Sequence, residues 1–329
     1  MNTDATRNSR STTTTGPAIE THDLTKTFTT RAGRETITTT AVDRLNLAVP
    51  QGQLLALLGP NGAGKSTTLR MLTTLLRPCA GTVRLHGIDV VGQPRKARSL
   101  FGFVGQGNGT GHLQHGRDEV VSQARAHGLR AKQARARADE LIEALDLTEF
   151  AHRPVEQLSG GQRRRFDIAI GLVNRPAVLF LDEPSTGLDP QNRAYLQALV
   201  RDLHAETGST IVLTTHYLDE ADALSQRVVI IDHGRVIADD TATALKEGIG
   251  DLVSVRVAEA RDDAVHLRTT DGPAAAIRLL DRLRADGHHV TGLEVRRPSL
   301  DDVFLHLTGR SLRETAETDQ DTTTSETAA

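Results

Sequence analysis

Cysteine is nearly absent from this chain: Cys79 is the only one among 329 residues, so no internal disulfide framework exists. Tryptophan is missing and aromatic residues make up only 3 %, which argues against a surface that stacks nucleic-acid bases. Neither sign of charge dominates, the net charge being −3, and arginines are scattered apart from Arg163, Arg164 and Arg165. A general nucleic-acid groove is not expected on that count. Those three arginines are expected to be solvated residues of one helix, with one or two facing a partner. No apolar run approaches the roughly 18 residues of a membrane-spanning helix. The chain opens "MNTDATRNSRSTTTTG", with no apolar stretch of the secretory kind, and a soluble, cytoplasmic protein is the expectation.

What is present is an alternation of apolar strands and amphipathic helices. The runs "QLLALLG", "AVLFLD", "STIVLTTH" and "RVVIIDHG" predict strands buried on both faces, and "ADELIEALDL" and "NRAYLQALVRDLHAE" predict the helices that cover them. Together they predict an α/β fold around a mostly parallel sheet. Residues 1–17 and 311–329 are rich in Thr, Ser and charge and read as disordered tails. Near residue 246 the pattern changes to a short strand, helix, strand, helix module. There Val253, Val255 and Val257 alternate, and "PSLDDVFLHLTG" offers Ser299 as N-cap with Asp302 three residues on. Leu300, Val303, Phe304 and Leu307 share one helical face, which is expected to pack on the small sheet.

Two stretches carry chemistry. "GPNGAGKST" (Gly59, Pro60, Asn61, Gly62, Ala63, Gly64, Lys65, Ser66, Thr67) fits G-x-x-x-x-G-K-[ST] between a strand and a helix. Glycines let successive N–H groups point at nucleotide phosphates, and the helix N-terminus adds partial positive charge. Lys65 supplies a mobile charge for the outer phosphates, and the Ser66 hydroxyl can ligate Mg²⁺. In "VLFLDEPSTGLDP", Asp182 ends a strand expected to lie beside the phosphate loop's own strand, where it would face the Mg²⁺ water shell. Glu183, turned another way by strand alternation, is placed to take a proton from the water that attacks the γ-phosphate.

A second glycine motif, "LSGGQ" (Leu158 to Gln162), stands just before a helix. With these three motifs in this order, residues 18 to about 240 resemble the ATP-binding-cassette (ABC) ATPases. The resemblance implies a RecA-like P-loop core with an antiparallel β subdomain and an α-helical subdomain at about 100–175, so a cassette over 18–245. The "PSLDDVFLHLTG" stretch is similar to the C-terminal module of daunorubicin-resistance-type exporter ATPases, here 246–310. The family pairs two cassettes head to tail, which implies a homodimer in which Ser159, Gly160, Gly161 and Gln162 serve the partner's ATP. It further implies Gln106 as the Q-loop glutamine that senses Mg²⁺, His216 as the switch histidine, Asp189 as the D-loop aspartate and Phe28 as the ring stacked on adenine. The cofactors implied are ATP and Mg²⁺, the latter served by Ser66, Gln106 and Asp182. The partner implied is a separate transmembrane permease, which would hold the chain on the inner face of the cell membrane. The glycine-rich stretch after Gln106 departs from the family pattern where the permease would dock. Export of a hydrophobic drug or lipid-like compound is the leading expectation. A soluble ABC protein acting on ribosomes or DNA usually has two cassettes in one chain, and an importer ATPase is disfavoured by the C-terminal module.

Overall fold

The computed structural model describes residues 16–32, 35–106, 114–258 and 264–311. The glycine-rich stretch after Gln106 falls in 107–113 and, like residues 1–15 and 312–329 of the expected tails, lies outside the described residues. Two long strands come first, β1 (Ile19–Ala32) and β2 (Glu35–Val49), antiparallel from Ile19 opposite Val49 to Arg31 opposite Thr36. Leu24, Val42, Leu45 and Leu47 are buried at the base of this hairpin, whereas its threonine-rich outer end is exposed. Strand β3 (Leu54–Leu58) delivers the phosphate loop to helix α1 (Lys65–Leu72). β4 (Ala80–Leu85) and the short β5 (Ile88–Asp89) complete a four-stranded antiparallel sheet of order β2-β1-β4-β5. Helix α2 (Pro94–Arg98) opens with proline, whose missing N–H costs nothing in a first turn, and leads to β6 (Phe101–Val104) and Gln106.

Three helices follow: α3 (Gly116–Ala126), α4 (Ala131–Ala144) and α5 (Gly160–Leu172). They bury Val120, Ala124, Ala138, Leu141 and Phe166 against one another. Then come β7 (Val178–Asp182), α6 (Pro190–Thr207), β8 (Thr210–Thr215), α7 (Leu218–Leu224), β9 (Arg227–Asp232), β10 (Arg235–Asp240) and α8 (Ala242–Glu247). The six-stranded sheet has the order β10-β9-β3-β8-β7-β6, parallel except for β10. Every residue of β3, β7 and β8 is buried, which is why these runs carry no polar alternation. The strand "VLFLD" does not lie beside the phosphate loop's strand as expected, because β8 is inserted between them. Equally apolar runs do not reveal which two are neighbours. The carboxyl ends nevertheless stay level, with Leu58 beside Thr215 and Asp182 beside Thr214, so loop and acids meet in one crevice.

The remaining elements are β11 (Asp251–Val257), β12 (Ala264–Thr269), α9 (Gly272–Ala285), β13 (Val290–Arg296) and α10 (Leu300–Thr308). An antiparallel sheet β12-β11-β13 buries Val253 and Val255 against Ala275 and Ala276 of α9, with Val257 half-buried. The position of α10 corrects the sequence reading. Its Leu300, Val303 and Phe304 join the main core with Ala221, Leu224 and Ala242, so α10 packs on α7 and α8 and not on the small sheet. Leu307 is 45 % exposed, because it sits in a last turn that runs beyond the buried patch.

Candidate nucleotide site

The phosphate loop is shaped by two close approaches. A Cβ on Gly59 would lie 2.2 Å from the Ile231 carbonyl oxygen, and one on Gly64 would lie 2.3 Å from that of Ala41. Gly64 also takes φ +103 as it caps α1, a conformation in which L side chains are strained. With these turns the loop amides and the start of α1 face one cavity, lined by Asn61 to Thr67, Gln106 and Glu183. Pro60 backs the loop: its carbonyl and that of Gly59 accept from Lys65 Nζ at 2.9 and 2.7 Å. Burial pulls the Lys65 ammonium below its ordinary value, and the carboxylates of Glu183 and Asp182 oppose that pull.

Asp182, 1 % exposed, accepts at Oδ1 from the Ser66 hydroxyl at 2.8 Å and from the Thr214 hydroxyl at 2.7 Å. Hard oxygen donors therefore converge beside the loop. Among the described residues no three His, Cys, Asp or Glu gather as a metal cage. The Ser66 hydroxyl and Asp182 carboxylate fit Mg²⁺, which takes few protein oxygen ligands and completes its shell with water and phosphate.

Glu183 is where most of the candidate residues meet. Its Oε2 accepts from Gln106 Nε2 at 2.9 Å and from the Thr186 hydroxyl at 3.2 Å. His216 Nδ1 stands 3.5 Å from the same oxygen, an electrostatic approach without the alignment of a hydrogen bond. Lys65 Nζ lies 3.7 Å from Oε1. Burial pushes the carboxyl up, but His216, Lys65 and Thr186 together outweigh it and hold Glu183 below the ordinary glutamate value. Strand alternation is not what aims it. Glu183 has φ +46, fixed by its N–H donating to the Thr214 hydroxyl at 2.9 Å and the Thr214 carbonyl at 3.2 Å. This left-handed residue turns the side chain into the cavity that Ser66 also lines.

The other predicted residues stand outside that cavity. Ser159 caps α5 in a reciprocal box: its hydroxyl accepts from Gln162 N–H at 3.2 Å, and Gln162 Oε1 accepts from Ser159 N–H at 2.9 Å. Gly160 follows at the first turn of that helix, and a Cβ on Gly161 would lie 2.3 Å from Asn192 Oδ1. Asn192 in turn is held by Asp189, which caps α6 and accepts from the Asn192 N–H at 3.0 Å. Phe28 is 41 % exposed with Lys26 Nζ 5.4 Å above its ring.

The arginines after "LSGGQ" are not the solvated set expected. Arg164 is buried and donates to three carbonyls, those of Pro184 at 2.8 Å, Gly105 at 2.6 Å and Asp182 at 3.1 Å. It ties the segment before Gln106 to the segment after Asp182. Arg163 donates to Val155 O, and Arg165 to the carbonyls of Leu145 and Asp146. Arg164, Thr214 and Thr186 are site residues that sequence reasoning missed. All three lie in or beside quoted stretches, but nothing in those stretches marked Thr186 or Thr214 as a partner of the two acids or Arg164 as a buried donor.

Comparison with known proteins points to one family. The family model described as ABC transporter matches residues 42–186, and that of the ATP-binding protein DrrA1-3-like C-terminal domain matches 224–308. The daunorubicin resistance ATP-binding protein DrrA2 of Streptomyces coeruleorubidus is 43 % identical, over 84 % of this chain and 92 % of its own length. The Nod factor export ATP-binding protein I of Ralstonia nicotianae is 39 % identical, over 84 % of this chain and 91 % of that protein. Among solved structures, a dimeric post-hydrolysis ATP-binding cassette bound to ADP and Pi superposes with TM-score 0.61 and 28 % identity, covering 68 % of this chain and 98 % of that one.

Proposed function

This chain belongs to the ABC transporter ATP-binding family, and from that premise we propose that it is the ATP-hydrolysing subunit that energises export of a hydrophobic drug or lipid-like compound. The observation that carries the chemistry is the grouping of Lys65, Gln106, Thr186 and His216 around one ionised carboxylate, Glu183, beside the phosphate loop. The name of the Nod factor export relative supplies the direction of transport, and that of the daunorubicin resistance relative suggests the class of compound.

In this reading the loop amides of residues 59–67 hold the nucleotide phosphates, and Lys65 exchanges the carbonyls of Gly59 and Pro60 for phosphate oxygens. Phe28 lies against the adenine. Ser66, Asp182 and Gln106 would hold Mg²⁺, which neutralises charge on the phosphate oxygens when bound. Glu183 accepts a proton from water as the water oxygen bonds to the γ-phosphorus and the bond to the β-phosphate oxygen breaks, leaving ADP and phosphate. His216 and Gln106 fix the carboxylate's direction. Ser159, Gly160, Gly161 and Gln162 of a second copy close over that ATP, and Asp189 stands at the seam.

The cassette spans 18–245 and the accessory domain 246–310, between tails at 1–17 and 311–329. Among the described residues no helix is long and apolar enough to cross a membrane. A separate permease, of the kind that an exporter's ATP-binding subunit serves, recruits the chain to the cytoplasmic face of the membrane.

Replacing Glu183 by Gln tests the assignment. ATP affinity should stay within about threefold while turnover falls by about 10²-fold or more. The protein should then sediment as a dimer in ATP, and with membranes only when its permease is co-expressed. Wild-type hydrolysis by that variant would remove Glu183 as the base.

A further inference from the structure

The C-terminal end of the described chain reaches the phosphate loop through one intermediate turn. Helix α10 is fixed in the main core by Leu300, Val303 and Phe304, and ends at Gly309 in a left-handed cap. The next residue, Arg310, is oriented by the helix end: its N–H donates to the Thr308 hydroxyl at 3.4 Å, and its carbonyl accepts from that hydroxyl at 3.1 Å. From there its guanidinium donates to Asp232 Oδ1 at 2.7 Å and to His233 Nε2 at 2.9 Å. Asp232 ends β9, and its side chain is 11 % exposed. A charge-assisted bond to so sheltered a carboxylate is among the stronger single contacts a surface arginine makes.

The turn that Arg310 grips braces the phosphate loop directly. His233 and Gly234 have φ +46 and +78, the pair of positive values that a tight two-residue hairpin requires. Gly234 N–H donates to the Ala63 carbonyl at 2.9 Å, in the middle of the loop. The Ile231 carbonyl is the atom that excludes any Cβ from Gly59, and Gly234 Cα is 3.4 Å from where a Cβ of Gly64 would lie. Gly234 O also accepts from Asp43 N–H at 2.9 Å, tying the same turn to β2. Gly59 and the loop's central carbonyl thus rest directly on residues 231–234, and Gly64, whose closest constraint is Ala41 O, touches Gly234.

We propose that Arg310 is a positioning residue for ATP binding: through Asp232 and the 232–234 turn it holds the phosphate loop in its nucleotide-ready shape, so the accessory domain's last helix sets nucleotide affinity. The role rests on the ATPase reading above but concerns residues outside the catalytic group. It separates from mere anchoring of the C-terminus by where the effect falls. An anchor contributes to stability only, whereas a brace on the phosphate loop changes KM and nucleotide Kd while leaving kcat, which Glu183 governs, nearly constant.

The experiment is ATPase kinetics and titration with a fluorescent ATP analogue on the full chain, with thermal unfolding recorded for each variant. Arg310→Ala is expected to raise KM and Kd by about three- to tenfold with kcat within about twofold. Arg310→Lys, which keeps the positive charge on one donor nitrogen, should recover part of that loss. Asp232→Asn should reproduce the Arg310→Ala effect, and the double variant should be no worse than either single one, since both remove one contact. Unchanged Kd in folded Arg310→Ala and Asp232→Asn, or effects that multiply in the double variant, would overturn the inference. If Arg310→Ala does not fold, Arg310→Lys and Asp232→Asn decide it by the same readouts. Wild-type protein that binds no nucleotide would overturn the ATPase reading itself, a different result from wild-type binding with unaffected variants.

Discussion

At the scale of single residues, the site depends on backbone shapes that are costly in isolation. Glu183 at φ +46 and Gly64 at φ +103 are held by specific partners, Thr214 for the first and the absence of a Cβ against Ala41 O for the second. A Gly64→Ala chain must strain the loop or displace β2, at about 1–3 kcal/mol of stability. Nucleotide affinity should fall about tenfold or more, read by titration with a fluorescent analogue. The gathering of Lys65, Ser66, Asp182 and Glu183 was legible because each motif is local and its chemistry needs those residue types. Arg164 was not legible: its three carbonyl acceptors, in Gly105, Asp182 and Pro184, come together only when β6 and β7 pair. An arginine in a run of three carries no mark of that.

Among the elements, α10 shows how capping and charge combine. The Ser299 hydroxyl and Asp302 cap one another's backbone, and Arg296 holds the Asp302 carboxylate with two bonds at 3.0 and 2.8 Å. Burial pushes Asp302 up, yet Arg296 and Ser299 outweigh it and bring the carboxyl to about 2. A carboxyl lowered on folding stabilises fully above its unfolded value near 3.8, and that stability is lost as pH falls through about 2. Because Arg296 is nearly half exposed, the contribution is discounted to about 1–2 kcal/mol. Equilibrium unfolding should therefore show wild type exceeding Asp302→Asn by that amount at about pH 6, with the gap shrinking toward pH 2. The cap itself was readable as Ser299 followed by Asp302. What α10 would pack against was not, since an amphipathic pattern specifies which face is buried and leaves its partner open. The neighbour of β7 was hidden for the same reason: β3 and β8 are equally apolar and offer the same kind of surface.

For the molecule as a whole, the catalytic region and the accessory region share one core. Phe304 has no exposed surface and sits with Leu224 and Ala242, between elements separated by the entire small sheet in sequence. Phe304→Ala should cost about 3–5 kcal/mol, seen as a lower denaturant midpoint for the full chain. A change confined to the small sheet would indicate that α10 is only loosely attached. The shared core also bears on how the chain is made. Elongation delivers the phosphate loop, both acids and the "LSGGQ" helix long before residues 300–304, so the socket on α7 and α8 stays unfilled until the whole small sheet has been synthesised. A polypeptide broken off anywhere in the small sheet would carry Lys65, Asp182 and Glu183 but leave the apolar surface of α7 and α8 uncovered. The final surroundings of α7 and α8 therefore depend on a helix that is translated well after them.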